Sequence, residues 1–312
     1  MQKKIKPIIS VVLIVLALSA AAYYLAKHKS LVHQLVHTPA TVILGVLASY
    51  VVMFGALVLI LSATIKICNR KLDHNENTQL NANSLLINFF IPGQGGPIYR
   101  GIYLYKKHRL RVKNYIIATM LYYVIYGVIS IFMLLVGVRP WWQTTLLSML
   151  IAAIGLFVVR NYSRRVKLQR DSMNLGARTI GYLIFATVLQ SIIQLGIYAI
   201  ELHSVNSHIT AMQMITYTGA ANLALFVSLT PGAIGIRESF LIFTRNLHHI
   251  SSANIVIANV IDRSVYLVFL ILLIVLSVVL QMRGKMQIKR IPILLRQTFG
   301  IKNTSAPSAR NN

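Results

Sequence analysis

Residues 227–240 read "VSLTPGAIGIRESF", and they interrupt a long apolar region. Proline stops a helix and glycine admits close or left-handed backbone, so the helix must break here. A break frees backbone N–H and C=O groups. In hydrocarbon these are costly unless protein or water satisfies them. The stretch is therefore expected to line a cavity or to be enclosed in protein.

The surrounding chain is that of a membrane protein. It has 312 residues, 56% hydrophobic and 12% charged, about half the charge of a soluble domain. Mean hydropathy is +0.66. Apolar runs long enough to cross a core of about 30 Å recur at 7–26, 40–67, 114–138, 142–159, 180–200 and 253–281 (spans 1 to 6). The first run is preceded by Lys3, Lys4 and Lys6 and resembles a signal peptide, but it is long enough to span and is read as an uncleaved helix. The net charge of +25 sits in blocks beside apolar runs, which fits orientation and anionic lipid contact and argues against nucleic acid as partner. The lone Cys68 excludes an internal disulfide, and His28, His33 and His37 lack an acidic or thiol companion, so no metal and no cofactor is expected.

A second break, "NFFIPGQGGPIYRG" at 88–101, matches the first without gaps. Asn83 lies nine residues before Pro92, as Asn222 lies nine before Pro231. Pro92, Gly93 and Gly96 fall on Pro231, Gly232 and Gly235, and Arg100 comes two positions later than Arg237 in this frame. Each half thus reads as two spans, a broken segment and a long span, a plan used by transporters. With the N-terminus inside, every dense basic block falls in the cytoplasm if both broken segments are re-entrant.

The expected fold is an all-α polytopic membrane protein with an inverted repeat of three spans per half and two re-entrant broken helices. The halves are about 1–138 and 139–282, with a basic cytoplasmic tail at 283–312. Eight full spans is the alternative. The chain is expected in the cytoplasmic membrane with both termini inside.

Residues 236–243 are expected to start a half-helix whose N-terminus, with Arg237, favours an anion such as a lipid phosphate; Arg100 would act likewise from the other side. The chain has six acidic residues. Asp73, Glu76 and Asp171 fall in polar loops, and Glu201 at the outer end of span 5. Glu238 and Asp262 lie in the second apolar core, beside Arg237 and Arg263. Ion pairs Glu238–Arg263 or Asp262–Arg237 are one reading, and a gate or headgroup cluster is the other. Gln190, Gln194, Asn222 and Asn259 suit interhelical hydrogen bonds or a polar path. Tyr122, Tyr123 and Tyr126 suit packing. No nucleophile elbow, Walker loop or zinc-protease helix is present.

These motifs, with "ANVIDRSVYLVF" at 258–269, resemble the lysylphosphatidylglycerol synthase transmembrane-region family, the flippase-like domain at the N-terminus of the multiple peptide resistance factor. The resemblance covers nearly the whole chain. It implies movement of an anionic or aminoacylated phospholipid between leaflets, with Asn88, Pro92, Gly93, Gly96, Arg100, Pro231, Gly232, Gly235, Arg237 and Glu238 at the headgroup and Asp262 and Arg263 as gate or ion pair. The family's aminoacyl-transfer enzyme is a separate soluble domain, and only about 30 residues follow span 6, so no enzyme activity is expected. Many members carry a Glu-Arg pair after the first motif. Here that region reads "TMLYYVIYGV", 119–128, without charge. Membrane lipids are the expected partners. The other reading is a non-transporting subunit that assists a separate glycosyl- or aminoacyl-transferase.

Overall fold

The computed structural model describes residues 38–90, 95–165, 173–227 and 236–282. Span 1, the tail, and the breaks holding Pro92, Gly93, Pro231, Gly232 and Gly235 lie outside these residues. Among the described residues there are ten α-helices and no strand. Five are long and apolar enough to cross a membrane. They are α1 (Ala40–Ile67), α4 (Val112–Leu135), α5 (Trp141–Arg165), α6 (Ala177–Val205) and α10 (Ser252–Met282). They match spans 2 to 6, with α5 and α6 running several residues further than their apolar cores.

Basic residues collect at one end of the bundle. Lys66 closes α1, Lys113 opens α4, Arg160 and Arg164 end α5, and Arg178 opens α6. The backbone N–H of Asn174 donates to Ile67 O at 2.7 Å, tying the entry to α6 to the end of α1. At the opposite end Gly45 of α1 meets Ile200 of α6, so these two helices run antiparallel along an extensive contact.

Between α1 and α4 the chain makes a hairpin of α2 (His74–Phe90) and α3 (Gly95–His108). At about 1.5 Å per residue neither helix crosses the membrane comfortably. Both outer ends sit at the basic end, held by Glu76. Its carboxylate accepts from Tyr103 Oη at 2.6 Å, and Lys107 Nζ and His108 Nε2 lie at 2.8 and 2.6 Å. Burial pushes this carboxyl up, but the bonds from Lys107, Tyr103 and His108 together outweigh it and hold it below the usual carboxylate range. Glu76 thus belongs to a buried helix end and not to a loop. The polar stretch expected at 69–84 is helical from His74 onward.

The reason is protein-supplied hydrogen bonding. Asn77 Nδ2 donates to Val58 O at 3.0 Å and to Ser62 Oγ at 2.6 Å. Ser277 Oγ donates to Asn83 Oδ1 at 2.6 Å. Asn77, Gln79, Asn81, Asn83 and Ser84 are all buried against α1, α3 and α10. A polar helix is stable in a membrane when neighbouring helices satisfy its amides.

The second broken region comprises α7 (Ala211–Ala224), a 3₁₀ turn (Leu225–Val227), α8 (Ile236–Phe243) and α9 (Arg245–His248). α7 spans about 21 Å and α8 about 12 Å, too short to cross. A capping box at Thr210 and Gln213 starts α7, and Gln213 Nε2 donates to His249 O at 3.1 Å. Both outer ends therefore lie at the end opposite the first hairpin. Of the two arrangements, the described helices adopt the one with re-entrant hairpins.

Two glycines set the closest approaches. A Cβ on Gly96 would sit 2.6 Å from Ser84 O, where α3 crosses α2. A Cβ on Gly219 would sit 2.6 Å from Ser130 O and collide with Leu134 N, where α7 crosses α4.

Two outcomes are expected. Gly219→Ala should lower stability by about 1–3 kcal/mol or more through overpacking, while Gly181→Ala, with open space around it, should not. Melting of the two purified variants in one detergent compares them. For Glu76 the folded-state value lies below the unfolded one of about 4.3, so its contribution is complete above that pH and lost as pH falls through the folded value. The stability gap between wild type and Glu76→Gln should therefore close on acidification, as read by melting temperature against pH.

Candidate functional site

Residues 236–243 form the expected half-helix, and it is fastened to α10 by two ion pairs of the same spacing. Arg237 Nη1 pairs with Asp262 Oδ2. Arg263 Nη2 lies 2.9 Å from Glu238 Oε1, with Nε at 3.3 Å from the same oxygen. Both readings of the pairing hold at once, each linking residues 25 apart. Tyr50 Oη of α1 donates to Asp262 Oδ1. The Arg237 guanidinium lies 5.1 Å from the Tyr198 ring centroid of α6, in cation–π contact. Arg237 and Asp262 are buried; Glu238 and Arg263 are partly so.

Glu201 is not at an exposed helix end. It is 1% exposed, close enough to Asp262 to interact with it, and its Oε1 has no hydrogen-bond partner. The cluster Glu201, Arg237, Glu238, Asp262 and Arg263 thus holds three carboxyls against two guanidinium groups. Its position near the C-terminal end of α6 hid this in the sequence. Folding of the second hairpin over α6 buries it. The role of Tyr50 was hidden as well, since a tyrosine in an apolar span gives no sign of facing a charge.

The first hairpin is built differently. Asn88 Oδ1 accepts from Gly96 N at 3.4 Å across the hairpin. Arg100 Nη1 donates to Asn81 Oδ1 at 3.4 Å, and its buried Nε has no partner. Among the described residues no carboxylate lies within ion-pair distance of Arg100. Among the described residues the two arginines are therefore not equivalent: Arg237 is paired with a carboxylate, and Arg100 with an amide.

They flank a shared aromatic strip on α4. Arg100 acts electrostatically on Tyr122 and Tyr123, and Arg237 on Tyr126. Phe226, at the inner end of the second hairpin, contacts Tyr123 and Tyr126 with ring centroids 5.7 and 5.8 Å apart. Tyr122 Oη donates to Gln190 Oε1 at 3.0 Å. Tyr126 Oη, both amide atoms of Asn222 and Asn259 Oδ1 are buried without partners among the described residues. Asn259 Nδ2 donates to Tyr217 Oη at 3.2 Å. Buried polar atoms without partners mark places that a ligand or water is able to satisfy. Such a strip, with one uncompensated cation at its edge, can bind an anionic headgroup while aromatic rings face its apolar remainder. No group of three metal-ligating side chains occurs among the described residues.

Removing one partner of a buried pair leaves an uncompensated charge. Asp262→Ala should lower stability by about 3–5 kcal/mol, and Arg237→Met with Asp262→Leu should recover most of it. Thermal melting of the wild type and the two purified variants checks this; a double variant as unstable as the single one would assign the loss to packing.

Sequence comparison gives a match to the family described as Lysylphosphatidylglycerol synthase TM region over residues 8–274. No curated protein matches the chain.

Proposed function

We propose that this chain, which belongs to the lysylphosphatidylglycerol synthase TM-region family, moves a phosphate-bearing lipid headgroup between leaflets along the tyrosine strip between its hairpins. The observation that carries this is Arg100: a cation within the bundle whose partner among the described residues is an amide and not a carboxylate. An intramembrane cation without a counter-ion is costly, and a lipid phosphate would supply one. Arg100, Asn88 and Gly96 form the receiving side, and Pro92 and Gly93, which follow α2 in the sequence, are assigned to it. Pro231, Gly232 and Gly235, which precede α8 in the sequence, are assigned to the other side. Arg237 serves there through its pair with Asp262, as a gate that opens or reorients and not as the resting phosphate site. Glu238 already lies in the first turn of α8, where it satisfies the positive helix end.

The buried Glu201 carboxyl, whose Oε1 has no hydrogen-bond partner among the described residues, supports an aminoacylated headgroup, whose ammonium would donate to it. In this reading the two halves, 1–138 and 139–282, offer an anion-binding and a cation-binding side, and the basic end faces the cytoplasm. The matched region is described as the family's TM region, which supports a role in lipid handling within the membrane.

The test is leaflet exchange of fluorescent phosphatidylglycerol, with and without a lysyl headgroup, in vesicles holding the purified chain. Arg100→Gln should reduce exchange of both lipids about tenfold to a hundredfold, the effect of losing a charge-assisted contact, and Arg100→Lys should restore part of it. Glu201→Gln should affect the lysyl lipid more. Unchanged exchange in Arg100→Gln, at unchanged melting temperature, would overturn the assignment. Wild-type vesicles with no exchange, from a chain that co-purifies with a transferase, would make it a partner subunit instead.

A further inference from the structure

A cavity of about 840 Å³ opens at the basic end between α1, α4, α5 and α6. Its wall is apolar, with Ile67, Ile117, Leu121, Val159, Met173 and Ile180, and Arg160 and Arg164 stand at its edge. Beside it lies a polar cavity of about 530 Å³ lined by Lys66, Arg70, Lys71, Asn174 and Thr179 and by His108. The two share walls: Lys66 faces one and Ile67 the other, as do Asn174 and Met173, and Thr179 and Ile180. Among the described residues no aspartate or glutamate lines either. His108 is committed to Glu76, and Lys66 lies 4.4 Å from the Tyr182 ring centroid. Arg70, Lys71, Arg160 and Arg164 remain as exposed cations around the two openings. Neither cavity belongs to the tyrosine strip.

We infer that these paired cavities hold one acidic phospholipid of the leaflet at the basic end, with an acyl chain in the apolar cavity and the phosphate in the polar one. The volumes suit a lipid ligand, and the pairing of an apolar slot with a ring of cations is the shape of one. The other candidate for the apolar slot is the N-terminal segment of this chain. That segment begins with Lys3, Lys4 and Lys6, which would add to the positive charge already there and not balance it. The site holds its lipid whether or not the tyrosine strip transports one.

The test uses the full chain in nanodiscs of phosphatidylcholine carrying a trace of phosphatidylglycerol with a photoreactive acyl chain. Adducts are mapped by mass spectrometry. They should fall on residues 117–121 and 156–164. Unlabelled phosphatidylglycerol should compete, and phosphatidylcholine should not. Replacing Arg70, Lys71, Arg160 and Arg164 together by glutamine should cut the adducts on the order of tenfold, at unchanged melting temperature, since each cation near the surface adds to acidic-lipid binding. Arg100→Gln should leave them unchanged, so loss of transport and loss of this site are read separately. Equal labelling by a phosphatidylcholine probe, or no effect of the four replacements, would overturn the assignment. So would displacement by inorganic phosphate alone, which would make the polar cavity a site for a soluble anion, or cross-linking of residues 7–26 into the slot.

Discussion

Arg237 carries a full charge into the apolar interior, and much of the second half of the chain is arranged around it. An isolated guanidinium there would be strongly unfavourable. Asp262 neutralises it, Tyr50 holds Asp262 from the far side, and the Tyr198 ring covers it. These contacts come from α1, α6 and α10, so one charge ties three spans to one half-helix. The neighbouring Glu238–Arg263 pair repeats the link one residue on and fixes the rotation of α8 against α10. A half-helix of eight residues has little area with which to hold itself in place. Ionic contacts supply the specificity that its packing lacks.

The two hairpins share a plan of break and re-entry but solve the same problem with different chemistry. The second buries charges in pairs. The first buries neutral amides, from Asn77 to Asn83, and brings in one arginine against one of them. That difference follows from the sequence after each break, where Asp262 and Arg263 have no charged counterpart in 119–128. Among the described residues, one side therefore pairs its arginines with carboxylates, while on the other Arg100 meets an amide.

The sequence made spans 2 to 6 legible because each is a run of apolar residues whose ends are marked by basic residues or proline. The hairpin breaks were legible for the same kind of reason, since proline and glycine act locally. The pairing in the second core was readable as a choice between two partnerships, because four charges in an apolar region must meet. That both form required the register of α8 on α10, which no local signal specifies. Glu201 and Glu76 were misplaced because both lie near element ends, where hydropathy cannot separate an exposed position from one covered by a distant segment. The stretch 69–84 looked like a loop for a related reason. Its asparagines are stable in a helix only because Val58, Ser62 and Ser277, remote in sequence, accept or donate the necessary bonds.

That polar helix also has a bearing on how the chain is made. Residues 74–84 cannot leave the translocation machinery for lipid on their own, since their amides would be unsatisfied there. Ser277, near the end of α10 and almost 200 residues further along the chain, donates its hydroxyl to Asn83 and accepts from Gln79 at its backbone carbonyl. During synthesis α2 and α3 must therefore stay at the water-facing surface, or under the care of the insertion machinery, until α10 has emerged. The first hairpin in the sequence is in this sense among the last pieces to take its place, and membrane insertion of this protein is completed by a late docking step and not by the serial release of helices.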